Sequence, residues 1–150
     1  MRLLSELIAE KLMDVFYSDD GKRQADMYLP KGLFYVACFL LLGGLGFVVA
    51  SFFVRSIWMI LAAALVLTLG IAAGLCWKNQ TIRMLNDEVF EYTTWLGNTS
   101  EYRFKDITGL RRNSDSVTLF VGEKKVHIEA MAITSDRLNN RVEKEMQKKR

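Results

Sequence analysis

Between Gly32 and Trp77 the chain runs for 46 residues with one charged side chain, Arg55. A run of that composition is built for lipid rather than water, because a membrane-crossing helix needs about 20 successive apolar residues. Two helices fit, Gly32 to Val54 and Ile57 to Trp77, with Arg55 and Ser56 linking them. The first span, 23 residues, is about 34 Å long at the helical rise, slightly more than a ~30 Å hydrocarbon core, and a modest tilt absorbs the difference. Pro30 suits the first turn of this helix, where a missing N–H is no loss. So short a link predicts slight unwinding from Phe52 to Ser56, with Arg55 reaching for head groups. No Asp, Glu, Lys or His accompanies Arg55 within either span, so it reads as a turn marker rather than part of an ion relay.

Small residues stripe both spans: Gly43, Gly46 and Ala50 on the first, Ala63, Gly70 and Gly74 on the second. In lipid, where burial from water no longer drives association, small residues let helix backbones approach. Matched stripes predict packing within the hairpin, with dimerisation as the alternative. Lys22, Arg23 and Lys31 precede the first span, Lys78 and Arg83 follow the second, and only Arg55 lies at the tip. The positive-inside rule then places both termini in the cytoplasm of a two-span cell-membrane protein. Tyr28, Tyr35 and Trp77 fall near the inner interface and Trp58 near the outer one, as an aromatic belt requires.

Before the hairpin, Leu4, Ile8, Leu12 and Phe16 recur every fourth residue, with Glu6, Glu10 and Asp14 on the other side. Residues 1–17 therefore read as an amphipathic helix. Charges interrupt the apolar letters too early for a signal peptide. A polar face poor in Lys and Arg favours packing on protein, whether hairpin, soluble domain or second copy, over a helix drawn to anionic lipid. Residues 18–31 read as a connector, broken by Ser18, Asp19, Asp20 and Gly21.

After Trp77 the period changes to two. Ile82 and Met84 alternate, Asn86-Asp87 reads as a tight hairpin turn, and Val89 to Trp95 is rich in β-branched and aromatic residues. Gly97-Asn98 turns the chain again. Further short strands follow at Tyr102 to Phe104, Thr108 to Arg112, Val117 to Val121 and Val126 to Ile128. Ser135 is an N-cap for a last helix carrying Leu138, Val142 and Met146 at four-residue spacing, with Lys144, Lys148, Lys149 and Arg150 complementing its dipole. The fold class is a membrane helical hairpin followed by a small domain over 79–150, a meander of about six strands closed by a helix.

The Asn86-Asp87-Glu88 turn, the Trp95-Leu96-Gly97 corner, the Phe104-Lys105-Asp106-Ile107 step, the Val117-Thr118-Leu119 strand and the terminal helix resemble the bacterial pleckstrin-homology-like (PH-like) domains. Small prokaryotic proteins that place a transmembrane hairpin before such a domain share the layout. The resemblance covers about half of the chain. It implies a partly open barrel plugged by the helix, and no catalytic role.

The remaining residues narrow the chemistry. His127, the one histidine, stands between Val126 and Ile128 on a strand and so points away from the core, without the partners of a catalytic triad or metal site. Cys38 and Cys76 lie inside the apolar run and read as packing residues. Asp106 reads as a loop hydrogen-bonder, Asn98-Thr99-Ser100 as a turn rather than a glycan acceptor, and Gly43-Gly44-x-Gly46 as helix rather than phosphate loop. No cofactor or metal is expected. The net charge of +3 is too dispersed for a nucleic-acid footprint. Arg103, Lys105, Arg111, Arg112, Lys124 and Lys125 form the one basic grouping able to meet anionic head groups, if the strands bring them together. The expected function is a non-enzymatic, membrane-anchored PH-like module that holds a protein partner, or a second copy, at the membrane. The alternatives are an anionic-lipid sensor working through the basic residues, or a small accessory subunit of a transporter.

Overall fold

The computed structural model describes residues 2–17 and 24–149, and the side chains of α1 from residue 6 to residue 15. The connector residues 18–23, among them Lys22 and Arg23, and the side chains of Leu4 and Phe16 lie outside the described residues. The chain divides into a helical unit, Met1–Asp19 with Pro30–Lys78, and a β unit, Asp20–Leu29 with Asn79–Arg150.

The helical unit contains α1 (Arg2–Tyr17), α2 (Lys31–Val54) and α3 (Ile57–Asn79), and α3 extends two residues beyond the expected end. Helices α2 and α3 are long and apolar enough to cross a membrane, and most of their large apolar side chains are uncovered. Pro30 is the N-cap of α2 rather than part of its first turn, with its carbonyl accepting from Leu33 N–H at 3.1 Å. The expected unwinding from Phe52 to Ser56 does not occur. Helix α2 holds through Val54, and the reversal is concentrated at Arg55, whose φ of 50° and ψ of 38° lie in the left-handed region. Its N–H donates to Ser51 O at 3.0 Å. A non-glycine residue pays about 1 kcal/mol or more for that conformation, which a two-residue link forces on it. The hydroxyls of Ser51 and Thr68 donate to Val48 O and Ala64 O, so neither is left unpaired on an apolar helix.

The seam between α2 and α3 corrects the expected stripe on the first span. A Cβ at Gly44 would lie 2.6 Å from the Leu67 side chain, one at Gly70 3.0 Å from Leu41, and one at Gly74 3.8 Å from Ala37. The antiparallel pairs are thus Ala37 with Gly74, Leu41 with Gly70 and Gly44 with Leu67, and Ala63 is buried on the same side. Gly43 and Gly46 have nothing within 4 Å of a built Cβ, and Ala50 is half-buried. The contact row steps by four and three residues through Ala37, Leu41 and Gly44, and Gly43 stands about 100° around the helix from it. At the open end of the pair the Phe34 and Trp77 rings meet at 4.7 Å.

In the β unit all six expected strands form: β2 (Thr81–Met84), β3 (Val89–Thr93), β4 (Thr99–Arg103), β5 (Ile107–Arg112), β6 (Ser116–Val121) and β7 (Lys124–Glu129). Two more, β1 (Met27–Tyr28) and β8 (Ile133–Thr134), were not expected. The strands make two antiparallel sheets, ordered β4-β3-β2-β1-β8 and β5-β6-β7. Helix α4 (Asp136–Gln147) starts where expected, with Ser135 Oγ accepting from Leu138 N–H at 3.2 Å. Alternate residues of both sheets, among them Ile82, Phe90, Ile107 and Val126, share one core with Met27, Phe104 and Leu138. Val142 and Met146 pack against it, and the Phe90 and Phe104 rings lie 4.8 Å apart.

The turns differ in kind from their sequence signals. Asn86-Asp87 lies in a four-residue loop with no positive φ, in which Asn86 Oδ1 accepts from Glu88 and Val89 N–H, both at 2.8 Å. That is an Asx turn rather than a two-residue hairpin. Gly122, at φ 58°, takes the first place of a two-residue link between β6 and β7, as a type II′ turn requires.

Part of the segment read as a connector belongs to the β unit. Met27 pairs with Ile82 on one side and with Thr134 on the other. Asp26 fixes this insertion: its Oδ2 accepts from Met84 N–H at 2.8 Å, its Oδ1 from Ser135 Oγ–H at 2.9 Å, and its backbone bonds Ile82 O and Ser135 N–H. A domain begun at residue 79 lacks the strand between β2 and β8.

Two outcomes follow. Asp26→Ala removes two hydrogen bonds to a carboxylate and should lower the stability of the β unit by roughly 2–3 kcal/mol, read as an earlier midpoint in chemical denaturation followed by tryptophan emission. In detergent, Gly44→Leu should lower the thermal midpoint of the intact protein while Gly43→Leu leaves it nearly unchanged; equal effects would contradict the seam.

Candidate functional site

The six basic residues singled out in the sequence do not form one patch. Arg103 ends β4, Lys105 lies in the 3-10 turn Phe104–Asp106, and Lys124 opens β7. These three line an open groove of about 730 Å³ together with Lys149, but Glu101, Asp106 and Glu123 line it as well. Lys149 Nζ is already committed, donating to Lys105 O at 2.9 Å and to Ile107 O. Lys124 Nζ sits 5.8 Å from the Tyr102 ring, and Lys125, on the other face of the strand, sits 5.8 Å from the Phe120 ring. Arg111 and Arg112 pair with Thr118 and Val117, whereas Lys124 and Lys125 pair with Val121 and Phe120. The arginines therefore stand about 10 Å along β6 from the lysines. What the groove can offer an anion is a mixed field, not a basic face.

A second groove, of about 520 Å³, runs between the β2–β3 loop and α4. Four cations recur along α4 at Arg137, Arg141, Lys144 and Lys148, facing Asp87 and Glu88. The spacing was visible in the sequence, where the lysines were read as complementing the helix dipole. Several of these charges hold the fold together. Arg137 pairs with Asp87 at 3.2 Å, and Arg141 Nε–H donates to Asp87 O at 2.6 Å while the guanidinium lies 5.3 Å from the Phe104 ring. Glu145 is buried and accepts from Arg141 at 2.6 Å and Lys148 at 3.2 Å. The hydrogen bond from Arg141, then that from Lys148, hold its carboxyl below the usual 4.5 against the opposing effect of burial.

His127 points outward as expected, with Nδ1 3.4 Å from Thr118 Oγ1 and Nε2 3.5 Å from Glu129. Its carbonyl has the structural role, accepting from Tyr92 O–H and Gln80 Nε2–H, each at 3.2 Å. These bonds tie the outer edge of one sheet to the other. Burial pushes the Tyr92 hydroxyl above its ordinary 10.0, offset in part by the bonds to Gln80 and His127. Among the described residues no group of three or more His, Cys, Asp or Glu side chains could hold a metal ion. Cys38 and Cys76 are half-buried thiols.

Among the described residues outside the hairpin, α1 carries the most exposed large apolar side chains. Leu7, Ile8, Leu12, Met13 and Val15 are 48–64% exposed, so packing on the rest of the chain, one of the expectations for this helix, leaves them uncovered. A smaller apolar feature is the β3–β4 loop, where Trp95 and Leu96 stand side by side in the open.

No family model matches the chain, and neither a curated protein nor a solved structure does.

The Glu145 ion pair sets an acid limit on stability. A carboxyl held below its ordinary value contributes in full above about pH 4.5 and loses that contribution as pH falls from there through its folded-state value. Denaturation midpoints of the intact protein should therefore fall below pH 4.5, and more shallowly in Glu145→Gln, which starts from a lower midpoint at neutral pH.

Proposed function

We propose that the chain is a non-enzymatic membrane-anchored module that holds a protein partner, or a second copy of itself, at the cytoplasmic face of the membrane. The observation that carries this reading is the exposed apolar stripe of Ile8, Leu12 and Val15 on α1, with Leu7 beside it, on a helix that belongs to the same unit as two span-length helices. A helix with such a face is a standard means of recognition between proteins, its apolar residues lying in a partner's groove. The sequence of α1 sets Glu6, Glu10 and Asp14 against Arg2 and Lys11, a slight negative balance that gives anionic head groups no hold. The cytoplasmic placement rests on the basic flanks of the hairpin, Lys31 before it and Lys78 and Arg83 after it, against Arg55 at the tip.

The β unit is read as a PH-like domain. Two antiparallel sheets sharing one core, followed by a helix that lays Leu138 on it, support that reading. The dispersal of the six basic residues, and the three acids in the groove that three of them share, count against the alternative of an anionic-lipid sensor.

A photoreactive amino acid in place of Leu12, irradiated in native membranes, should give adducts to polypeptide, and their mass separates a second copy from another protein. Adducts to lipid alone would overturn the reading.

A further inference from the structure

We infer that the β3–β4 loop is a membrane foot of the β unit, seating Trp95 and Leu96 at the head-group level of the bilayer that α2 and α3 cross. The inference rests on the membrane reading of the hairpin and goes beyond it, because it assigns a lipid contact to the β unit.

Position carries the argument first. Asn79, where α3 ends, donates from Nδ2 to Trp95 O at 2.9 Å, and a Cβ at Gly97 would lie 3.5 Å from the same nitrogen. Asn79 is two residues past Trp77, the aromatic residue at the end of the second span, and two residues reach at most about 7 Å. Adding the Asn79 side chain and its hydrogen bond, covalent geometry keeps the Trp95 carbonyl within about 13 Å of the Trp77 backbone, a distance that the Trp95 side chain can shorten. The head-group region on each side of the hydrocarbon is itself about 5–8 Å deep.

Composition points the same way. From Tyr92 to Ser100 the chain carries no charge, so the loop enters an interface without desolvating one. Trp95 and Leu96 are 44% and 60% exposed at its tip. Tryptophan favours this level of a bilayer, where its ring meets apolar chains and its N–H stays wet. The turns at Asn113-Ser114-Asp115 and Gly122-Glu123 carry polar or charged residues instead.

The loop is also ordered in advance. Thr94 N–H donates to Asn98 O at 2.9 Å, Gly97 N–H to Thr94 O at 2.8 Å and Asn98 N–H to Thr94 Oγ1 at 3.2 Å, while the Thr93 and Thr99 hydroxyls meet at 3.0 Å across its base. Gly97, at φ 86°, takes the conformation that a side chain would resist. Little conformational freedom remains to be lost on contact with lipid.

The test uses the full chain in proteoliposomes of zwitterionic lipid brominated at known depths along the acyl chain. With Trp58→Phe and Trp77→Phe, Trp95 is the sole tryptophan and keeps its native side chain. Its emission should shift to the blue of tryptophan in water and be quenched strongly by shallow bromines and weakly by deep ones. A companion protein with Trp77→Phe and Trp95→Phe reports on Trp58 in the hairpin. Quenching of Trp58 with water-like, unquenched emission from Trp95 would overturn the foot and leave the hairpin standing. Quenching of neither would overturn both.

Discussion

The pairing of Met27 with Ile82 is the contact on which the arrangement of this chain depends. It joins the strand that precedes the apolar hairpin to the strand that follows it, so the hairpin is an insertion into a sheet rather than a leader placed before a domain. Asp26 secures the junction. Its carboxylate bonds the end of β2 and the cap of α4, while its backbone bonds Ile82 and Ser135. Because Ser135 Oγ donates to Asp26 and accepts from Leu138 N–H, one chain of polar contacts runs from the strand beside the hairpin to the start of the closing helix. Such chains stiffen one another where water is scarce.

The apolar pair itself is held by different physics. Burial from water cannot drive α2 onto α3 in lipid, so the contact relies on close approach. Gly44, Gly70 and Gly74 supply the space, and Leu67 and Leu41 fill what two of them leave open. The link at Arg55 is the strained part, an arginine in the left-handed region where glycine would rest at less cost. In a pair that crosses a membrane, a charge at that place would resist being drawn into the hydrocarbon.

Long patterns were legible in the sequence and short ones were not. The two spans, the six longer strands and the Ser135-capped helix each repeat their period several times, which is what a pattern needs to stand out. Strands β1 and β8 are two residues each, too short to show alternation, and only the sheet around them makes them strands. The small-residue stripe was found on α3 but misplaced on α2, because Gly43 and Gly44 are adjacent and only the partner helix distinguishes them. The basic residues failed as a patch for a related reason. Closeness across strands depends on register, and register puts Arg111 and Arg112 at one end of β5 while Lys124 pairs with Val121 near the other. The exposed Trp95 was read as a corner, since nothing in its own stretch of sequence reveals that Asn79 holds the loop beside the end of α3.

The insertion has a consequence for the order in which the molecule is assembled. Met27 leaves the ribosome before either apolar helix, and Ile82, its partner, only after both. Until then β1 has no neighbour on that side, and since β8 comes later still it has none on the other. Closing so long a loop is the slow kind of contact in folding. The sheet of the β unit therefore closes only after both apolar helices have been made, and its completion marks a chain that already contains them.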